Sequence, residues 1–245
     1  NQVCGSGLRS VASGFQSIKS GDAKIIIAGG QESMSLAPHS VHLRDGKKLG
    51  NAEMLDTMIK DGLWDAFNGY HMGVTAENVS TKFQVTRDDQ DKFALKSHEK
   101  ALAAQTKNKF EDEIINFKIK SKKNETNFNK DEHPREEISL EALKKLKPVF
   151  KKDGTVTAGN ASGINDGAAA VTLMSEKEAE KRKLKKLVSI KSWASCGVDP
   201  ALMGTGPIPS SKKALELAGW AVQDVDLFEI NEAFAAQSIA VLKTL

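Results

Sequence analysis

The 245 residues are 40% hydrophobic and 27% charged with a net charge of +3, the balance of a chain that folds around a buried core. No apolar run approaches the ~18–20 residues that span a bilayer, and no secretory signal is visible, although the first residue is Asn1 and a processed leader would leave no trace. Two cysteines, Cys4 and Cys196, cannot build a disulfide framework, which suits a reducing compartment and points to the cytoplasm.

In chain order, Leu8, Val11, Phe15 and Ile18 recur at three- and four-residue spacing and predict a helix over 7–20. A turn at Gly21–Asp22 leads to an apolar run, 23–28, read as a buried strand that Gly29–Gly30 breaks. From 31 to 163 the texture is that of an inserted lid, rich in Gly, Asn, His and Met. It holds one clear helix, 86–107, opened by a capping-box-like pair, Thr86 and Asp89. A polar loop at 122–134 and a short helix at 139–146 follow. Regularity returns with a strand at 168–174, a charged helix at 176–186, a strand at 188–196, a helix at 210–218, a strand at 227–230 and a helix from Asn231. Strands alternating with helices predict an α/β core. On this reading the chain, starting just ahead of a helix and stopping inside one, is a fragment of a larger fold.

Positive charge is concentrated at residues 118–123, 144–152 and 181–186. No aromatic interleaving or recognition motif accompanies it, so nucleic acid is not the expected partner, and solvated helix faces explain the runs. A phosphate-bearing small molecule needs only two or three such charges.

Cys4 stands directly ahead of the first helix, followed by Gly5 and Gly7. The unpaired N–H groups and positive dipole end there favour an anionic, nucleophilic sulfur, while a small cysteine packed in a helix cap fits the spacing equally well. Asn231-Glu232-Ala233-Phe234 follows a strand and opens a helix. Asn231 there either orients a water or an oxyanion or is a plain N-cap. Residues 158–167, with three glycines among small residues, suit a ligand lying against backbone, or an irregular turn. His71-Met72-Gly73 is either a soft acyl pocket or a structural histidine. The other histidines, His39, His42, His98 and His133, have no metal-ligand spacing, and no metal is expected.

Taken together, Asn1-Gln2-Val3-Cys4-Gly5-Ser6-Gly7, Gly29-Gly30-Gln31-Glu32-Ser33-Met34-Ser35, His71-Met72-Gly73 with Thr75-Ala76-Glu77-Asn78, the 159–167 loop and Asn231-Glu232-Ala233-Phe234 resemble the thiolase family in order and spacing, over essentially the whole chain. The resemblance implies a layered αβαβα thiolase-like fold, incomplete here. Residues 1–33 and 165–186 would belong to the N-terminal core, 34–164 to a CoA-binding loop domain and 187–245 to the start of the C-terminal core. It implies an acyltransferase of the biosynthetic, acetoacetyl-specific branch, which joins two acetyl-CoA into acetoacetyl-CoA and CoA, with no resident cofactor, and a homo-oligomer, dimer or dimer of dimers.

By residue, the resemblance makes Cys4 the acylated nucleophile and gives Asn231 the water that stabilises the enolate oxygen. His71 and Met72 would line the acyl pocket, and Ser162 and Gly163 would contact the pantetheine arm. Arg135 and Phe150 would stand near the adenine nucleotide, with Ala158, Met203 and Phe234 completing the CoA site. The alternatives are a degradative 3-ketoacyl-CoA thiolase of longer chains and a non-catalytic CoA- or lipid-binding relative. The family's Gly-His-Pro histidine and second cysteine are not among these 245 residues, and Cys196 lacks the right context. The fragment alone is therefore expected to be inactive. His98 replaces the Tyr of potassium-stimulated relatives, so potassium over sodium should not raise the rate of the whole enzyme.

Overall fold

The computed structural model describes residues 1–120 and 124–245. Its helices are α1 (Ser6–Ser20), α2 (Met72–Lys82), α3 (Arg87–Thr106), α4 (Leu140–Lys144), α5 (Glu176–Lys181), α6 (Pro207–Ala218) and α7 (Ala235–Thr244). The long strands, β1 (Ile25–Ser33) and β8 (Asp166–Met174), pair antiparallel from Ile25↔Met174 to Ser33↔Asp166. Between them lie three short hairpins: β2 (His39–Ser40) with β3 (Leu55–Asp56), β4 (Trp64–Asp65) with β5 (Tyr70–His71), and β6 (Phe117–Lys120) with β7 (Glu125–Phe128). No described helix is long and apolar enough to cross a membrane.

α1 packs on one face of the β1–β8 ribbon through small residues, with Ala12, Gly14 and Ala28 buried. At the end of α1 nearest Cys4 main chain meets main chain: a Cβ on Gly30 would lie 3.1 Å from the Gly7 Cα. Gly29–Gly30 therefore continues the strand instead of breaking it, pairing with Ala170 and Ala169, because the glycines answer a tertiary contact. The other ribbon face is open, and Ile27 is 78% exposed.

A second core is helical. α2 packs against α7 and a 3-10 turn at Pro200–Thr205, and α3 packs against α7 and α4. Val79, Val156, Ala236, Ala240 and Val241 are fully buried in it. The capping box of α3 forms as expected, with the Thr86 side chain accepting from the Asp89 N–H and the Thr86 N–H donating to the Asp89 carboxylate.

Several expectations are corrected. Residues 188–196 and 227–230 join no sheet among the described residues. They are rich in apolar residues, but a strand needs a neighbour to complete its ladder, and Val188 and Leu227 remain exposed. α5 stops at Lys181 because Lys183 adopts a left-handed φ of 56°. Residues 125–128 form a strand rather than loop, while Lys122 and Lys123 of the basic stretch lie outside the described residues. α2 was not anticipated, because its inward face is built of small and polar residues (Gly73, Thr75, Ala76, Glu77, Ser80) instead of a leucine stripe.

Candidate active site

Cys4 is exposed, in a 3-10 turn (Val3–Gly5) that runs straight into α1. The turn is tightly specified. The Asn1 Oδ1 accepts from the Val3 N–H at 2.7 Å and the Ser6 Oγ at 3.0 Å, and the Gln2 N–H donates to the Ser6 Oγ at 2.8 Å. Val3 has a φ of 50°, a left-handed conformation that costs a β-branched residue on the order of 1–3 kcal/mol. Strain held by side-chain bonds immediately before an exposed thiol marks a place where a residue is aimed. The Gln2 Nε2 also donates to the Ser195 Oγ at 3.3 Å, and the Arg9 guanidinium lies over the Trp193 ring at 4.8 Å, so residues 193–195 flank this turn. Cys4 is exposed on this turn rather than buried within it.

His71 is the N-cap of α2, its Nδ1 accepting the Gly73 N–H at 3.0 Å. The ring stacks on Phe150 with centroids 4.6 Å apart, and Phe150 meets Phe234 edge-on at 6.4 Å. Met72 begins α2 beside it and is half-buried. Gly73 is required here, since a Cβ would overlap the Phe150 ring. Gly→Ala near a helix start ordinarily stabilises by up to about 1 kcal/mol. Gly73→Ala in the full-length protein should instead destabilise by about 1–3 kcal/mol, read by denaturant unfolding, because the ring must move and the stack is lost.

Burial holds the His71 imidazole below the usual histidine range, and burial followed by His133 and Arg135 does the same for His98. A lowered histidine binds fewer protons folded than unfolded, so stability rises with pH through the window just below about 6.5 and is lost on acidification through it. The Nδ1 that caps α2 must also be unprotonated. Thermal unfolding of the full-length protein between about pH 7.5 and 5.5 should show the slope, and His71→Asn, which can still cap but cannot titrate, should reduce it to the share left by His98.

The loop of residues 158–163 is joined by main chain to the loop ahead of α7. Ser162 N donates to Ala233 O at 3.0 Å, Ala235 N donates to Asn160 O at 2.9 Å, and Ala161 bridges Phe234. The helix expected from Asn231 therefore begins only at Ala235, since 231–234 is engaged with this neighbour. Asn231 is exposed on that loop, and the adjacent Glu232 Oε2 accepts from the Ser97 Oγ at 2.6 Å, tying the loop to α3. Ala158 and Ser162 are exposed; Gly163 faces the His133 ring, which stacks on His98, and His98 Nδ1 accepts the Arg135 N–H at 3.1 Å. Met203 is half-buried in the 3-10 turn that Asn78 Nδ2 holds through Ala201 O.

The structure thus brings together His71, Phe150, Phe234 and the 158–163 loop, and sets His133 against Gly163, with the Arg135 main chain bonded to His98 on the far side of that ring pair. No hydrogen bond or ring contact among the described residues joins the Cys4 side chain to that group. No group of three or more His, Cys, Asp or Glu among the described residues could hold a metal ion.

Two residues inside the quoted motifs have roles that sequence reasoning missed. Glu77, 4% exposed, accepts from the Thr155 and Val156 N–H groups and the Thr155 Oγ1 at 2.8–3.0 Å. Asn160, 3% exposed, donates to Asp91 Oδ1 at 2.9 Å and accepts the Thr157 N–H at 2.8 Å. The signal for Glu77 was a carboxylate on a helix face shared with Gly73, Ala76 and Ser80; a charge among small residues is buried only where donors await it.

Comparison with known proteins completes the description. The thiolase N-terminal domain matches residues 1–177 and the thiolase C-terminal domain residues 184–245. An acetyl-CoA acetyltransferase of Rhizobium meliloti (strain 1021) is 61% identical over 245 residues, covering 100% of this chain and 62% of that protein. Among solved structures, the Bacillus anthracis acetyl-CoA acetyltransferase superposes with a TM-score of 0.95 at 45% identity, over 98% of this chain and 61% of that one. Human mitochondrial 3-ketoacyl-CoA thiolase in complex with CoA gives a TM-score of 0.94 at 43% identity, over 100% and 61%. The chain spans about 62% of the length of the curated relative. The α/β thiolase fold expected from the motifs is the fold of these structures.

Proposed function

The chain belongs to the thiolase family, and from that premise we propose that the whole protein is an acetyl-CoA acetyltransferase working through an acyl-cysteine at Cys4. The observation that carries the reading is the aimed and exposed Cys4, held by Asn1 and Ser6 on a strained turn at the head of α1. Its thiolate attacks the thioester carbonyl of one acetyl-CoA, a C–S bond forms as the C–S bond to CoA breaks, and CoA leaves as the thiol after taking up a proton. The backbone N–H of Cys4 itself would donate to the oxyanion. The second acetyl-CoA loses an α-proton, offsetting the one CoA has taken up, and its enolate, with Asn231 holding the water that stabilises its oxygen, attacks the acyl-cysteine carbonyl; a C–C bond forms as the C–S bond to Cys4 breaks, returning the thiolate and releasing acetoacetyl-CoA.

The half-buried His71–Phe150–Phe234 group, next to the loop of residues 158–163, supplies an aromatic wall, and the His71-Met72 pair resembles that of the short-chain, acetoacetyl-specific branch. That favours a short acyl chain over the longer substrates of a degradative thiolase. CoA would lie along 158–163, with its pantetheine at Ser162 and Gly163 and its phosphates toward Arg135 and the neighbouring lysines. Residues 34–164 would act as the CoA-binding loop domain. Two free cysteines suit a reducing compartment, and we place the enzyme in the cytoplasm as a dimer or dimer of dimers. The chain-length profile of CoA-dependent thiolysis tests the proposal: a full-length enzyme that cleaves acetoacetyl-CoA far faster than longer 3-ketoacyl-CoA supports it, and the reverse order contradicts it.

A further inference from the structure

We propose that Asn160 is a positioning residue which, clamped by Asp91, holds the loop of residues 158–163 and the loop carrying Asn231 as one piece. The relay starts on α3. Arg87 Nε donates to Asp91 Oδ2 at 2.8 Å, and Arg87 Nη2 donates to the carbonyls of Leu143 and Leu146. The fully buried Asp91 offers its other oxygen to Asn160 Nδ2, which also reaches Thr155 O at 3.1 Å. Asn160 Oδ1 takes the Thr157 N–H, and its main-chain carbonyl takes the N–H of Ala235, the first residue of α7. One side chain thus fixes the start of the glycine-rich loop from inside, while its own backbone fixes the end of the loop that bears Asn231. Displacing Asn160 moves both the pantetheine subsite and the enolate-stabilising residue. Buried networks of this kind transmit geometry because each partner has no alternative one.

This inference rests on the acyl-cysteine reading above, and the test keeps the two apart. Full-length enzyme is exposed to acetyl-CoA, and active sites are counted as acetylated Cys4. Unlabelled wild type defeats the functional reading and, with it, this one. Asn160→Asp sets a second carboxylate against Asp91. The expected result is a kcat per labelled site lower by about 10–100-fold, together with a raised KM for CoA. The double variant Asp91→Asn with Asn160→Asp restores the bond between the two side chains with donor and acceptor exchanged, and the new amide oxygen still accepts from Arg87, while the bond to Thr155 O stays lost and keeps the rescue partial. It should regain about tenfold of the loss. If Asn160→Asp does not fold, Asn160→Ser, which can still accept the Thr157 N–H, should show the same fall in kcat per labelled site. Fewer labelled sites with wild-type kcat and KM each would mean a purely structural role and overturn the proposal, as would a double variant no faster than the single.

Discussion

Cys4→Ser in the full-length enzyme should lower kcat for both condensation and thiolysis by at least about 10³-fold while leaving the affinity for CoA within about twofold of wild type. The serine hydroxyl fits the same exposed turn, so the bonds from Asn1 and Ser6 that hold Val3 at its left-handed φ remain. What is lost is a group that ionises readily and leaves readily from the acyl intermediate. CoA affinity is expected to survive because, among the described residues, no hydrogen bond joins this turn to the loops carrying the proposed CoA contacts, Ser162, Gly163 and Arg135. Steady-state rates with a parallel CoA titration separate the two effects, and a fall in both together would argue for a disrupted fold instead.

Glu77→Ala is expected to be the most destabilising of the single substitutions considered, by about 3 kcal/mol or more. The carboxylate is nearly fully buried and is the acceptor for two main-chain N–H groups, those of Thr155 and Val156, along with the Thr155 hydroxyl. Truncation removes the acceptor of the Thr155 and Val156 N–H groups in the helical core, and unsatisfied buried groups cost far more than the net worth of the bonds they lose. Because 154–156 leads directly into the loop of residues 158–163, the variant should also raise KM for CoA under conditions where it stays folded. Glu77→Gln keeps one carbonyl oxygen able to accept two N–H groups, so its loss should be nearer 1 kcal/mol. Denaturant unfolding of the three proteins checks the order.

What could be read from the sequence was what neighbouring residues decide. The capping box of α3 needs only Thr86 and Asp89, and it was legible residue by residue. The thiol at the head of α1, just ahead of Gly5 and Gly7, was legible for the same reason. Long-range consequences were not. The apolar run at β1 announced a strand but not its partner, since the ladder from Ile25 to Ser33 is closed by residues more than a hundred positions away. Gly29 and Gly30 read as a break because a strand pattern gives no hint that another backbone will press against them. Residues 188–196 and 227–230 carry strand composition yet lack the neighbour that would make them strands. Asn231 read as a helix start because its side chain suits an N-cap, while its actual place is set by main-chain bonds to residues 160–162. Glu77 and Asn160 were visible as letters within motifs. Their partners, Val156 for one and Asp91 for the other, stand 79 and 69 positions distant, so their roles existed only once the chain had folded.

The account depends on one covalent bond. Full-length protein mixed with acetyl-CoA in the absence of free CoA, quenched in acid and digested, should yield the peptide containing Cys4 with the mass of one added acetyl group. The label should disappear when CoA is added back. An unmodified Cys4 peptide, or acetyl found on Cys196 instead, would contradict the account.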